Sequence, residues 1–131
     1  MAKSILVSLP GAYVSVSEDG AETRRITTFS IGRDGHHTPI FAGGSLSPTK
    51  REKDHRSSIY PPPHGGALMP YALFFEVPNS ACAFHQGDTS VESHGCIHLG
   101  PADAAWLFGW AAMDPVGLTI DGPYPARHTF P

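Results

Sequence analysis

Apolar and β-branched residues cluster early in the chain in three short segments: SILVSL (4–9), AYVSVS (12–17) and RRITTFSI (24–31). Pro10-Gly11, Glu18-Asp19-Gly20 and Gly32-Arg33-Asp34-Gly35 punctuate them. Val, Ile, Thr and aromatic residues suit a pleated, half-buried surface, and Gly, Pro and Asp suit turns, so three strands are expected in a meander or small sandwich. The pattern then stops. Residues 42–66 are rich in Gly, Ser, Pro and charges and show no period, which predicts a long flap covering a cleft. Within it, Lys50-Arg51-Glu52-Lys53-Asp54 is mixed in sign and reads as a solvated loop tip, and Pro61 to Pro63 stiffen an extended piece.

Apolar runs resume with YALFFEV (71–77), ACAFH (81–85) and GCIHL (95–99), three strands expected to floor the cleft. Gly100-Pro101 opens a helix over 101–113, with Pro in the first turn, Asp103 near the positive end, and Trp106, Leu107, Trp110 and Met113 on one apolar face. Asp114-Pro115 ends it, and VGLTIDG (116–122) closes the fold as a strand. The expected fold class is mainly β, a sandwich or mixed sheets with one helix, in a single domain over 1–131.

Composition narrows the function. The chain has 131 residues, 40% hydrophobic and 16% charged, with a net charge of −3. It can bury about two-thirds of its unfolded surface, and nothing marks it as a binder of phosphate backbones. No apolar run is long enough to span a bilayer, and SILVSL is too short for a signal-peptide core. Two cysteines make a poor disulfide framework. Cys82, among small and apolar neighbours, reads as a packing residue; Cys96 lies between glycine and histidines.

The chemistry concentrates in SHGCIHL (93–99), with His85 just upstream. A cysteine nucleophile needs help from a histidine or a helix N-terminus, which lowers its pKa, and donors for an oxyanion. Gly95 permits a sharp turn, and the N–H groups of Gly95 and Cys96 could face that oxyanion. If 94–98 is extended, His94, Cys96 and His98 share a face. Side chains two apart on one strand run parallel about 6–7 Å apart, whereas a base must meet the sulfur head-on. A residue on the adjacent strand can do so, which points to His85, brought beside Cys96 by a hairpin-like return. A zinc site built from His85, His94, Cys96 and His98 is the competing reading, although this is not a common ligand spacing. Histidines with no role at all are the third, since the chain has eight.

The Ser-His-Gly-Cys block, with a histidine at the preceding strand end and an Ala-rich helix after it, resembles the signature of the L,D-transpeptidase catalytic domain (the YkuD-like family). TPIF (38–41), DHRSSIY (54–60), GGALMPYALFF (65–75) and DAAWLF (103–108) extend the likeness over nearly the whole chain. The resemblance implies a cysteine acyltransferase acting on peptidoglycan stem peptides through a thioester, without a cofactor. It would perform L,D-transpeptidation or L,D-carboxypeptidation at the bond between a diamino acid and D-alanine. It casts Cys96 as nucleophile, His85 as base oriented by the Gln86 carbonyl, Gly95 and Cys96 as oxyanion donors, and His94 as a support pointing into the fold. Tyr60, Met69, Ser93 and His98 fall to flap, pocket wall and substrate contacts.

His98 stands where many members carry Arg or Asn, and the segment between His85 and Ser93 is short for the family. The implied setting is the periplasm or cell envelope, with the protein acting as a monomer and without nucleic acid. Because no export signal is read in the chain, a secreted antibacterial effector with the same chemistry is the alternative biology.

Overall fold

The computed structural model describes residues 2–56, 68–77 and 81–131. The strands are β1 (Lys3–Ser8), β2 (Tyr13–Glu18), β3 (Ala21–Ile26), β4 (Phe29–Ser30), β5 (Phe41–Arg56), β6 (Leu68–Glu76), β7 (Ala83–Gln86), β8 (Ile97–Leu99), β9 (Val116–Asp121) and β10 (Thr129–Phe130), with one helix, α1 (Pro101–Ala111). All strands join one sheet in the order β10-β4-β8-β7-β6-β5-β9-β1-β2-β3. Ile26 from one edge of the sheet shares a core with Phe29 and Phe130 from the other. Residues at opposite edges can meet only if the sheet curls, so the fold is mainly β, as expected, but is a single curled sheet.

Two elements depart from the sequence reading. RRITTFSI is not one strand. It breaks at Thr27-Thr28, with β3 at one edge of the sheet and β4 near the other. Ile26, Phe29 and Ile31 nevertheless all reach the same core. Residues 42–56, expected to belong to the flap, lie in β5, which sits inside the sheet between β6 and β9. Only Leu46 along β5 is fully buried, so burial leaves no period in the sequence. Hydrogen bonding to both neighbours holds the strand instead. Its register on β6 slips between Leu46 and Arg51, and Pro48 falls in that irregular stretch, where a missing N–H costs no ladder bond. The rest of the expected flap, 57–66, lies outside the described residues.

The helix is where the sequence placed it, but its buried stripe is Ala104, Leu107 and Ala111. Met113 is 67% exposed. Trp106 and Trp110 are half-buried and stack on each other, with Arg24 over the first and Lys3 over the second. Indole rings this large are easily covered by cationic side chains at the surface, so apolar spacing alone misassigned the face.

β8, β7 and β6 are adjacent, as the cleft floor requires. Alternation along them separates two layers. Leu73, Phe75, Phe84, Ile97 and Leu99 enter the main core. Met69, Ala72, Phe74 and Ala83 form a second cluster, and Cys96 packs against it.

Candidate active site

β7 and β8 pair in parallel, with Phe84 opposite Ile97, His85 opposite His98 and Gln86 opposite Leu99. The hairpin-like return expected between them is therefore not formed. The chain crosses back through residues 87–96 and re-enters in the same direction. The consequence for the site is favourable: with Phe84 and Ile97 turned into the core, the period of two sends His85 and His98 to the other layer, and Cys96 with them. Continuing the register backwards brings Cys96 beside Ala83, whose backbone hydrogen-bonds to the sulfur.

His85 is 6% exposed. Its Nδ1 lies 2.7 Å from the Gln86 carbonyl oxygen, the partner that the family resemblance implies. A carbonyl only accepts, so Nδ1 carries the proton and Nε2 presents a lone pair. Burial lowers the pKa of His85 to about 4, outweighing that hydrogen bond. The His98 ring packs edge-on against it, with centroids 4.8 Å apart. Nδ1 of His98 donates to the Asp88 carbonyl at 3.1 Å. A Cβ on Gly87 would come within 2.8 Å of that ring, so the glycine admits His98 to its place. Burial also lowers the His98 pKa. His55, at the end of β5, packs edge-on to Phe74 and adds a further imidazole to this layer. It stood inside the sequence's flap and was not singled out there.

Cys96 was expected to carry a depressed pKa. The structure reverses this: burial first, then Cys82, push its thiol up to about 12, against the lowering effect of the Ala83 backbone bond. Sequence adjacency to histidines does not help a thiol when those imidazoles are themselves neutral and the surroundings apolar. No disulfide joins Cys82 to Cys96, and Cys82 is half-buried against the main core.

The loop carrying the cysteine is held from below. Gly95 has φ of 125°, which an L side chain rarely adopts, and an added Cβ would sit 3.2 Å from the Cys82 sulfur. Thr38 is fully buried. Its hydroxyl donates to the Gly95 carbonyl at 2.8 Å and accepts from the Gly32 N–H at 3.0 Å. A Cβ on Gly32 would come within 1.9 Å of the His36 carbonyl and 2.9 Å of Gly95 Cα, so these two glycines allow the segments to touch. Ser93, read from sequence as a substrate contact, is 2% exposed. Its hydroxyl donates to the Cys96 carbonyl and accepts from the Gly95 N–H. That second bond also occupies one of the two amides expected at the oxyanion. Among the described residues, none accepts from the Cys96 N–H.

His94 does not point into the fold. It is exposed, its ring edge-on to His36 with centroids 5.4 Å apart. The Ser93 and Thr38 hydroxyls hold the loop through its backbone groups. Met69 is buried in the small cluster against which Cys96 packs, and Tyr60 lies outside the described residues. His85, His94, Cys96 and His98 do not form a metal-binding group. Among the described residues, the one such group is Asp34, His37 and His128.

Comparison with known proteins agrees with this architecture. The family described as the L,D-transpeptidase catalytic domain, YkuD, matches residues 2–118. An L,D-transpeptidase from Stackebrandtia nassauensis superposes with a TM-score of 0.78 at 25% identity, over 97% of this chain and 58% of that one. L,D-transpeptidase 1 from Mycobacterium tuberculosis gives 0.64 at 28% identity, over 90% of this chain and 61% of its own. An LD transpeptidase in complex with imipenem gives 0.68 at 27% identity, over 90% and 59%. The chain thus spans about three-fifths of the length of these solved relatives. No curated protein matches it. With its fold, its Ser-His-Gly-Cys loop and its imidazole-lined layer accounted for, the chain belongs to the YkuD family of L,D-transpeptidase catalytic domains.

Proposed function

We propose that the chain is a cysteine acyltransferase acting on peptidoglycan stem peptides in the cell envelope, with Cys96 as nucleophile and His85 as general base. The observation that carries this is a buried imidazole whose proton is pinned on Nδ1 by the Gln86 carbonyl, in the same layer as Cys96. A thiol near 12 and an imidazole near 4 rest as a neutral pair. With the thiol pushed up and the imidazole pushed down, a resting thiolate–imidazolium pair is disfavoured. Proton transfer therefore accompanies attack. As the sulfur bonds to the carbonyl carbon of the diamino acid, its proton passes to His85 Nε2. The oxyanion faces the Cys96 N–H. Collapse breaks the bond to D-alanine, whose amine takes the proton from His85. The thioester then passes to an amine of a neighbouring stem, with a cross-link formed, or to water, with the stem trimmed. Met69, Phe74 and Ala72 supply an apolar wall to the cysteine. Ser93 and Thr38 position the loop without touching substrate.

Mass spectrometry after exposure to a carbapenem tests the assignment. A single drug adduct on Cys96 is expected in the wild type. His85→Ala should lose at least about a hundredfold in acylation rate with its fold retained. His94→Ala should acylate at nearly the wild-type rate. Near-normal acylation of His85→Ala, or an adduct on Cys82, would refute these roles. Defined muropeptides, with and without an amine acceptor, would then separate transfer from hydrolysis.

A further inference from the structure

We propose that Asp34, His37 and His128 form a binding site for a divalent transition metal of the zinc class, beside the segments that hold the nucleophile loop. One donor atom from each residue lies within 4.8 Å of the others. His37 Nε2 is 2.9 Å and His128 Nε2 3.7 Å from the same carboxylate oxygen, Asp34 Oδ1. Ligand atoms about 2.0–2.1 Å from a tetrahedral metal are about 3.3 Å apart, so the spacing is already close to that of a bound set.

An ordinary ion pair explains part of this group. Asp34 and His37 are three residues apart and exposed, and such a contact forms readily at a surface. It does not explain His128. That side chain is only 5% exposed and comes from a segment remote in sequence, yet its Nε2 is aimed at the same oxygen at a distance too long for a hydrogen bond. Its Nδ1 is hydrogen-bonded to the Glu92 carboxylate. A carboxylate there accepts the Nδ1–H hydrogen bond, keeps the proton on Nδ1 and leaves the Nε2 lone pair facing the cluster, the arrangement that orients metal-ligating histidines. The His37 ring is fixed as well. It stacks flat on Tyr124, with centroids 3.6 Å apart. The Tyr124 hydroxyl donates to the Gly32 carbonyl and accepts from the Thr38 N–H.

The donor set of two imidazoles and one carboxylate suits zinc, and the exposure of Asp34 leaves a fourth position for water. The ion would clip two segments together directly, and a third through the His128–Glu92 hydrogen bond. Glu92 precedes Ser93, and His37 precedes Thr38, so two of the segments carry the hydroxyls that hold Gly95. The His128 segment is anchored by the Ile31 N–H on the His128 carbonyl. The role inferred is stabilisation of the cysteine loop, and it does not depend on the acyl-transfer reading.

The test uses the purified chain, stripped with a chelator and titrated calorimetrically with zinc chloride, with thermal unfolding followed in parallel. Wild type should bind one equivalent and melt several degrees higher in excess zinc. Asp34→Ala alters an exposed side chain and should match the wild-type melting temperature in chelator, and Asp34→Ala and His37→Ala should each bind zinc at least about tenfold more weakly. Glu92→Gln should weaken binding by about 10–100-fold. His94→Ala should bind as wild type does. Equal zinc affinity in wild type, Asp34→Ala and His37→Ala would overturn the site, and so would loss of binding in His94→Ala, which would move the ion to the His36–His94 pair.

Discussion

The reactivity of Cys96 toward a simple alkylating agent separates a resting thiolate from a neutral thiol. Burial raises the Cys96 pKa from 9.0 to about 12. Alkylation proceeds through the thiolate. Three units mean that, at neutral pH, Cys96 carries about a thousandth of the thiolate of an unperturbed cysteine. A Cys82→Ala background assigns the signal to Cys96. In that protein, iodoacetamide labelling followed by mass spectrometry should be about a thousandfold slower than for a free thiol at pH 7.5. Its rate should still climb about tenfold per pH unit between 8 and 10, where a free thiol levels off. Carbapenem acylation should follow a different profile. It uses His85 as base, and His85 stays neutral above about pH 4. Its rate should therefore be flat from pH 5.5 to 8. An iodoacetamide rate that levels off below pH 9 would show a stabilised thiolate and refute the neutral-pair argument, as would acylation that tracks labelling across the range.

His85 also ties stability to pH. Its folded pKa is lowered to about 4 from 6.5, so the unfolded chain binds the proton first as pH falls. The stability contributed is present above pH 6.5 and lost towards pH 4, about 3 kcal/mol in all. Urea midpoints measured across that window should fall more steeply for wild type than for His85→Gln, and parallel curves would contradict the burial of a neutral imidazole. Thr38→Val keeps the shape but strands the Gly95 carbonyl and the Gly32 N–H, both buried, at a cost of about 2–5 kcal/mol, whereas Thr38→Ser should retain most of the stability. A Thr38→Val protein within about 0.5 kcal/mol of wild type by urea denaturation would show that these bonds do not hold the loop.

Several features were legible in the chain because they rest on local rules. The Pro-led helix after Gly100, the strands around 71–77 and 116–122, and the common face of Cys96 and His98 follow from propensity and the period of two. Gly95 announced a backbone that only glycine adopts comfortably, whereas the Gln86 carbonyl came only from the family resemblance. β5 was illegible for a physical reason. It is stabilised by hydrogen bonds to two neighbours, and backbone bonding leaves no mark on side-chain type. The split of RRITTFSI between opposite edges of the sheet was hidden likewise, because both halves feed one core and show the same apolar composition.

At the site the division is sharper. Residue types and spacing singled out a nucleophile candidate and its flexible neighbour, because those requirements are written in adjacent residues, whereas the choice of His85 also rested on a pairing across strands and on the family resemblance. Which histidine faces solvent, which hydroxyl takes the Gly95 amide, and whether the thiol is acidic depend on groups brought in from elsewhere. Thr38 arrives from a different segment, Cys82 from the strand edge beneath Gly95, and His128 meets Asp34 and Glu92 from near the end of the chain. A pKa or a ligand set is a property of everything within a few ångströms, and the curled sheet, not the order of residues, decides what lies within that distance.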